Sequence, residues 1–309
     1  MSRFLETLHS GRVLLMDGAM GTELQRAGLP LGEKGESWNL SRPGRVLDIH
    51  KAYVASGAQC LLTNTFQAIP SNLVFPDREE NTVAKIIKEA IFLARMACGP
   101  DGFVLADLGP SLLESSSFDE LIANRSFIGV VRTLVEADAI LLETCSNPGI
   151  RKAIRFIQEV TAGETDREIP VLLSLTYHRS AGGELRTISD DPPEAFAWPE
   201  LKALGVNCGK EIGMDEIIEI VRSYRQVTDL PLFARPNAGT PTRAGDSWIY
   251  PRSPEHLAAR LPELLEAGVA MVGGCCGTTP AHIAAMKPIV DQWNSPLGDQ
   301  PSDPLAHLC

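Results

Sequence analysis

The sequence contains no run of about 18 apolar residues, the length a helix needs to cross a bilayer. Its opening, Met1-Ser2-Arg3-Phe4-Leu5-Glu6, has no basic segment leading into an apolar one. Neither a membrane span nor a secretory leader is expected, and a cytoplasmic location follows as the default. Clusters of lysine and arginine are missing as well. The net charge is −11, from 39 acidic against 28 basic residues. It repels phosphate backbones, and no basic segment interleaved with aromatics reverses it locally, so no nucleic-acid partner is expected. The cysteines number seven, an odd count at irregular spacing in 309 residues, which argues against a disulfide framework and fits a reducing compartment.

What is present is an alternation of short apolar runs, ending in small or polar residues, with longer helical patterns. This is the mark of parallel β-α units. Eight strands are predicted: Val13 to Met16, Cys60 to Thr63, Phe103 to Asp107, Ala139 to Leu142, Val171 to Thr176, Ala203 to Asn207, Leu232 to Arg235 and Ala270 to Gly273. Helices are predicted at Pro43 to Ser56, Asn81 to Ala97, Phe118 to Ala137, Gly149 to Val160, Met214 to Val227, Pro254 to Ala267 and Pro280 to Trp293, with a poorly marked one near Pro192 to Ala203. Ser253-Pro254 and Thr279-Pro280 supply N-caps followed by proline, and Ser56-Gly57 and Ala267-Gly268 supply glycine stops. Eight such units predict an α/β fold, a single (β/α)8 TIM barrel over residues 1–293. Residues 294–309, polar and proline-rich, form a short disordered C-terminal tail in this reading, and His307 and Cys309 within it carry little weight as ligands.

In such barrels the active site forms at the C-terminal ends of the strands. Reading just past each predicted strand gathers the unusual residues on one rim: Asp17-Gly18-Ala19-Met20-Gly21-Thr22, Asn64-Thr65-Phe66, Gly109-Pro110, Glu143-Thr144-Cys145, Tyr177-His178, Cys208, Pro236-Asn237-Ala238-Gly239 and Cys275-Cys276. Adjacent thiols pair with each other only under strain. They can share a metal, and Gly273-Gly274 and Gly277 leave the backbone free to turn both sulfurs into one space. Cys208 also closes an apolar run and is followed by glycine. A lone cysteine is most often a small buried hydrophobe, but packing gives no reason for two in succession at a strand end. Three cysteines with one open position describe a catalytic zinc site.

Together, Asp17-Gly18-Ala19-Met20-Gly21-Thr22, Thr63-Asn64-Thr65-Phe66, Glu143-Thr144, Asn207-Cys208, Pro236-Asn237-Ala238-Gly239 and Gly273-Gly274-Cys275-Cys276-Gly277-Thr278 resemble the homocysteine S-methyltransferase family, in order from about residue 12 to 292. The resemblance implies a zinc-dependent enzyme that methylates the sulfur of homocysteine to give methionine, with Zn2+ on Cys208, Cys275 and Cys276. It further implies Glu143 as the ligand of the substrate ammonium with Asp17 beside it, the backbone amides of Ala19 and Met20 as receivers of the carboxylate, and Asn237 at the open zinc position when substrate is absent. Asp17 also reads as a plain helix cap. The folate and cobalamin modules of full methionine synthases do not fit in 309 residues, so the donor is expected to be S-methylmethionine or a methylated corrinoid/folate system, with a methylated corrinoid brought by a separate corrinoid protein. Gly277 stands where relatives using S-methylmethionine often carry arginine. Two other readings are a zinc-binding or thiol-redox barrel without turnover, and a methyltransferase acting on another small thiol.

Overall fold

The computed structural model describes all residues except 1, 31, 69–81, 111–124, 146–148, 192–195, 197, 210, 245–246 and 296–309. Twelve strands occur among the described residues: β1 (Leu14–Leu15), β2 (Cys60–Leu62), β3 (Phe103–Leu108), β4 (Ala139–Glu143), β5 (Val171–Leu175), β6 (Tyr177–Arg179), β7 (Leu185–Thr187), β8 (Ala203–Asn207), β9 (Leu232–Arg235), β10 (Thr242–Ala244), β11 (Ser247–Ile249) and β12 (Val269–Val272). Eight of them form one parallel sheet in the order β1-β12-β9-β8-β5-β4-β3-β2. A parallel bridge between Met16 and Cys60 joins its two ends, which closes the barrel. The eight predicted strands are all present, with ends shifted by one residue at most places. Among the described residues no helix is long and apolar enough to cross a membrane.

Side chains alternate along a strand, so every second residue faces the barrel interior. The lower interior is hydrocarbon: Leu14, Met16, Leu62, Phe103, Leu105, Ala139, Leu141, Leu172, Ala203, Phe233 and Met271 belong to one buried cluster. The same cluster takes in Phe4, Leu5 and Leu8 from a helix that the sequence pattern did not announce, Arg3–Leu8. Phe4 meets Phe103 edge to face at 5.4 Å, and Arg3 lies over the Phe103 ring while donating to the carbonyls of Asp101 and Gly102. This helix therefore plugs the mouth opposite the site. A six-residue helix has little stability of its own, and its docking onto the interior cluster is what holds it.

The predicted helices are found with shifted ends, apart from three cases. The span Pro254 to Ala267 is two helices, Pro254–Ala259 and Leu261–Glu266, broken at Arg260. Pro262 has no N–H to return to the carbonyl of Ala258, so the first helix cannot run on. The span Phe118 to Ala137 is described only from Arg125, as Arg125–Thr133 followed by a 3-10 turn, Leu134–Glu136. The first half of the poorly marked helix near Pro192 to Ala203 lies largely outside the described residues; in its second half Trp198 to Lys202 is turn and coil, and Ala203 begins β8. That segment instead follows a hairpin, β6 with β7, and a second hairpin, β10 with β11, follows β9. Both arise in the loops on the active-site rim. The tail from 296 onward, with His307 and Cys309, lies outside the described residues.

Removing the plug ring tests this account. Phe4→Ala should lower stability by about 3 kcal/mol, as emptying a well-packed aromatic site does, while leaving zinc content unchanged. Denaturant unfolding with metal analysis checks it, and a loss below about 1 kcal/mol would show the helix to be a passenger.

Candidate metal centre and acceptor pocket

The interior alternation does not stop at the top of the barrel; its chemistry changes. Phe103 and Leu105 are followed on the same face by Asp107, Ala139 and Leu141 by Glu143, Leu172 by Ser174, Ala203 and Gly205 by Asn207, and Phe233 by Arg235. All five polar residues are buried. A layer of polar side chains with no solvent must satisfy itself, and most of it does. Ser174 donates to Asn207 Oδ1 (2.6 Å), and Asn207 Nδ2 donates to Thr144 Oγ1 (3.0 Å). Arg235 Nη1 reaches Glu143 Oε1 at 2.5 Å, and Arg235 Nη2 reaches Asp17 Oδ1 at 3.4 Å. Asp17 Oδ2 accepts the backbone N–H of Leu62 at 2.8 Å.

Asp17 is therefore part of the barrel roof and not a helix cap. The N-cap of the following helix, Met20–Arg26, is Ala19, and it has no side-chain capping bond. The Ala19 amide is already engaged, donating to Thr278 Oγ1 (3.2 Å). The amides of Met20, Gly21 and Thr22 lie in the first turn, where an α-helix has no carbonyl to offer them. Gly18 is required by proximity: a Cβ there would stand 2.7 Å from Thr278 Oγ1 and 2.9 Å from the Tyr53 ring.

Cys208, Cys275 and Cys276 converge as the sequence predicts, with their three sulfurs all within 4.8 Å of one another. Each strand end contributes. Cys208 leaves β8 in the left-handed region, φ 54°, and its N–H donates to the Arg235 carbonyl at 3.1 Å. Non-glycine residues are held at positive φ only where the surroundings over-determine them, as at functional sites. The Cys275 N–H donates to Pro236 O (2.8 Å), and Thr278 closes the turn by donating from both N–H and Oγ1 to Cys275 O. Gly274 permits this, since a Cβ there would lie 2.2 Å from Thr278 Oγ1. Asn207 Nδ2 lies 4.0 Å from Cys275 Sγ, and Asn237 Nδ2 lies 4.0 Å from Cys208 Sγ. Hydrogen bonds from the Cys275 and Cys276 thiols hold the Cys208 pKa well below the usual thiol range, whereas the Cys275 thiol, hydrogen-bonded to Cys208, is pushed up. Three soft sulfur donors in one small space, with a position left open beside them, fit a tetrahedral zinc site.

The three cysteines border a pocket of about 490 Å3, which also takes in Ala19, Met20, Glu143, Asp107 and Arg235. Asp17 and Asn237 stand behind its wall. Two members were missed from sequence. Arg235 was read as the last residue of a strand and Asp107 likewise; the interior parity of β9 and β3 would have placed both in the roof. Burial pushes the carboxyls of Asp17 and Glu143 up to about 7 each, against the nearby guanidinium, and pushes Asp107 well above the carboxylate range. Burial also opposes the Arg235 charge, but Glu143 and Asp17 outweigh it and hold the guanidinium firmly protonated.

A folded pKa above the unfolded one means that the fold binds the proton more tightly. The Asp17 contribution is then full below about pH 4 and is lost as pH rises to about 7. In the metal-free protein, Asp17→Asn should flatten the fall in stability between those limits, measured by denaturant unfolding at stepped pH. An unchanged slope would show that Asp17 ionises normally.

Relatives agree with this geometry. The residue pattern that defines homocysteine S-methyltransferases matches residues 14–290. The chain is 31% identical over 304 residues to a methionine synthase of Mycobacterium tuberculosis, and 31% identical over 310 residues to that of Mycobacterium leprae. The alignments take in 93% and 94% of this chain but 25% of each relative, so the chain spans about a quarter of those proteins' length. Among solved structures, the metallated form of the homocysteine methyltransferase MmuM from Escherichia coli superposes with a TM-score of 0.70 at 26% identity, over 92% of this chain and 99% of that one. Its oxidised form gives 0.69 over 90% and 96%. With its barrel, its three converging cysteines and a match over nearly its whole length, the chain belongs to the homocysteine S-methyltransferase family.

Proposed function

We propose that the chain transfers a methyl group to the sulfur of homocysteine, giving methionine, at a Zn2+ ion held by Cys208, Cys275 and Cys276. The observation that carries this reading is the placement of three convergent sulfurs at one wall of a pocket whose floor is acidic. Zinc, when bound, would supply deprotonation of the acceptor thiol near neutral pH, where a free thiol of pKa about 8.5 is mostly protonated. Three anionic cysteines exceed the charge of the ion, and this keeps an added sulfur electron-rich.

The chain's own residues do the rest. The acidic floor at Glu143 receives the ammonium of the acceptor, and the free amides at the start of Met20–Arg26 receive its carboxylate, as an oriented set of N–H groups can. Asn207, held by Ser174 and Thr144, steadies Cys275, and Asn237, held through Gly209 O and the Gly239 N–H, steadies Cys208. In the transfer, the acceptor sulfur forms a bond to the methyl carbon while the bond from that carbon to the donor breaks, and its electron pair stays with the donor. The thiol proton leaves to solvent beforehand. The donor in this reading is S-methylmethionine or a methylated corrinoid, the latter presented by a separate corrinoid protein. Sulfur ligands work only when reduced, which accords with a cytoplasmic setting.

A donor screen tests the reading. The purified 309-residue chain, loaded with zinc, should methylate homocysteine from S-methylmethionine or free methylcobalamin, because a sulfonium and a cobalt-bound methyl both leave readily. It should not do so from methylfolate alone, whose amine leaves poorly. A Cys208→Ser, Cys275→Ser double variant should lose both zinc and turnover. Full zinc stoichiometry in that variant, or efficient turnover with methylfolate alone, would sink the assignment.

A further inference from the structure

The backbone at Thr144 departs from the strand that it follows. Among the described residues four that are not glycine have positive φ, and Thr144, at 62°, is the β-branched one of them. A branched Cβ is crowded in that region, so the conformation holds only where the surroundings impose it, as at functional sites. Its effect is on direction. Glu143 faces the barrel interior, so in a continuing strand the next side chain would point outward to the helices. Instead Glu143 and Thr144 both border the pocket, and the outward place falls to Cys145, which belongs to the same buried cluster as Leu108 and Ile150.

The group turned inward is a hydroxyl, and it meets the Asn207 amide. Asn207 Nδ2 donates to Thr144 Oγ1 at 3.0 Å, and Thr176 Oγ1 donates to the same oxygen at 3.2 Å. On the other edge of the amide, Oδ1 accepts from Ser174 Oγ at 2.6 Å, with Thr176 Oγ1 3.4 Å away. Nδ2 carries a second hydrogen, and Cys275 Sγ lies 4.0 Å from that nitrogen. Asn207 also precedes Cys208 in the chain, so it reaches one sulfur through its side chain and another through its backbone.

Resting on the zinc reading and deepening it, we propose that Thr144 is a positioning residue of the metal centre: its strained backbone places the hydroxyl that orients Asn207, and Asn207 fixes Cys275 and takes up part of its negative charge. The three cysteine thiolates already outweigh the charge of a Zn2+ ion, and an acceptor thiolate beside them adds to the excess. An N–H turned toward one of these sulfurs spreads that charge, as hydrogen bonds to ionised acceptors do. Groups that hold a metal's ligands in this way alter its affinity by roughly ten- to a hundredfold. The strain at Thr144 is then the structural counterpart of a tighter sulfur site, and relieving it should loosen the site without loosening the fold.

Competition with a chelator measures zinc affinity in the parent and its variants, and denaturant unfolding of the metal-free forms measures stability. Thr144→Val keeps the branched shape and removes the hydroxyl, whereas Thr144→Gly removes the hydroxyl and the strain together. Both should bind zinc roughly tenfold more weakly or worse, and Thr144→Ser, which restores the hydroxyl, should stay close to the parent. The metal-free Thr144→Gly protein should be at least as stable as the parent, since glycine adopts positive φ without crowding. Unchanged zinc affinity in the valine and glycine variants brings down this proposal alone. A loss that Thr144→Ser shares in full, or one that only follows a fall in metal-free stability, also overturns it, and failure of Thr144→Gly to fold counts as such a fall. Should Thr144→Val not fold, the glycine variant decides. If the parent itself takes up no zinc, the metal reading falls and the proposal with it.

Discussion

The structure depends on how a closed eight-stranded barrel fills its own interior. No other element can reach the middle layers, so every second residue of each strand must either pack as hydrocarbon or find polar partners among its neighbours across the barrel. This chain divides the task by height. Leucine, phenylalanine and alanine fill the lower layers, a short helix carrying Phe4, Leu5 and Leu8 closes the bottom, and the top layer is Asp107, Glu143, Ser174, Asn207 and Arg235. The charged roof is tolerable because Arg235 binds two acids at once and Asn207 is satisfied by Ser174 and Thr144. Breaking one partner away from such a cluster leaves a buried charge alone, which is far more costly than never having built it.

The three cysteines sit directly on that roof. Cys208 follows Asn207, and its N–H is tied to the carbonyl of Arg235, so the ion-pair layer and the sulfur layer share backbone. Cys275 is tied to Pro236, one residue beyond Arg235, and Gly274 is tied to the carbonyl of Asp17. The sulfurs are therefore positioned from the ends of β8 and β9 and the turn after β12, with Asp17 after β1 tied to that turn, while the acidic floor adds Asp107 from β3 and Glu143 from β4. A thiol bound at the cysteines and an ammonium bound at the floor would be read by one rigid unit. Sites built on such elements hold their geometry more closely than sites built on free loops.

Much of this was legible in the residues, for physical reasons that differ from place to place. The strands could be read because apolar runs of four to six residues stop abruptly at polar ones, and the vicinal cysteines because nothing about packing calls for them. Arg235 and Asp107 could not be read from their strand ends alone, since a charge at the end of a strand is ordinarily a solvated one; only the inward parity shared with Phe233 and Leu105 shows where they go. The Arg3–Leu8 helix escaped because six residues carry too little periodicity. The hairpin after β5, Tyr177–Arg179 with Leu185–Thr187, has no counterpart in the predicted pattern. Loop insertions on the rim follow no period, and sequence patterning is silent on them.

Gly277 shows how structure alters the weight of a single-residue signal. Beside the family's motif it stands where some relatives carry arginine, and on that ground alone it would speak about the donor. In the fold, Gly277 has φ 79°, a conformation that side chains rarely adopt, and a Cβ there would fall 2.1 Å from the ring of Tyr250. Tyr250 lies just beyond the β10–β11 hairpin, and burial beside Cys276 pushes its phenol up to about 12, so it remains neutral. The Gly277 N–H is also engaged, donating to Thr22 Oγ1 at 3.2 Å. Glycine at 277 is thus demanded by the turn and by the tyrosine packed across it. An arginine could enter only if the hairpin moved. Residue 277 and the hairpin are thus coupled by packing, so the glycine reports first on the turn and on the neutral aromatic wall that Tyr250 places beside Cys276.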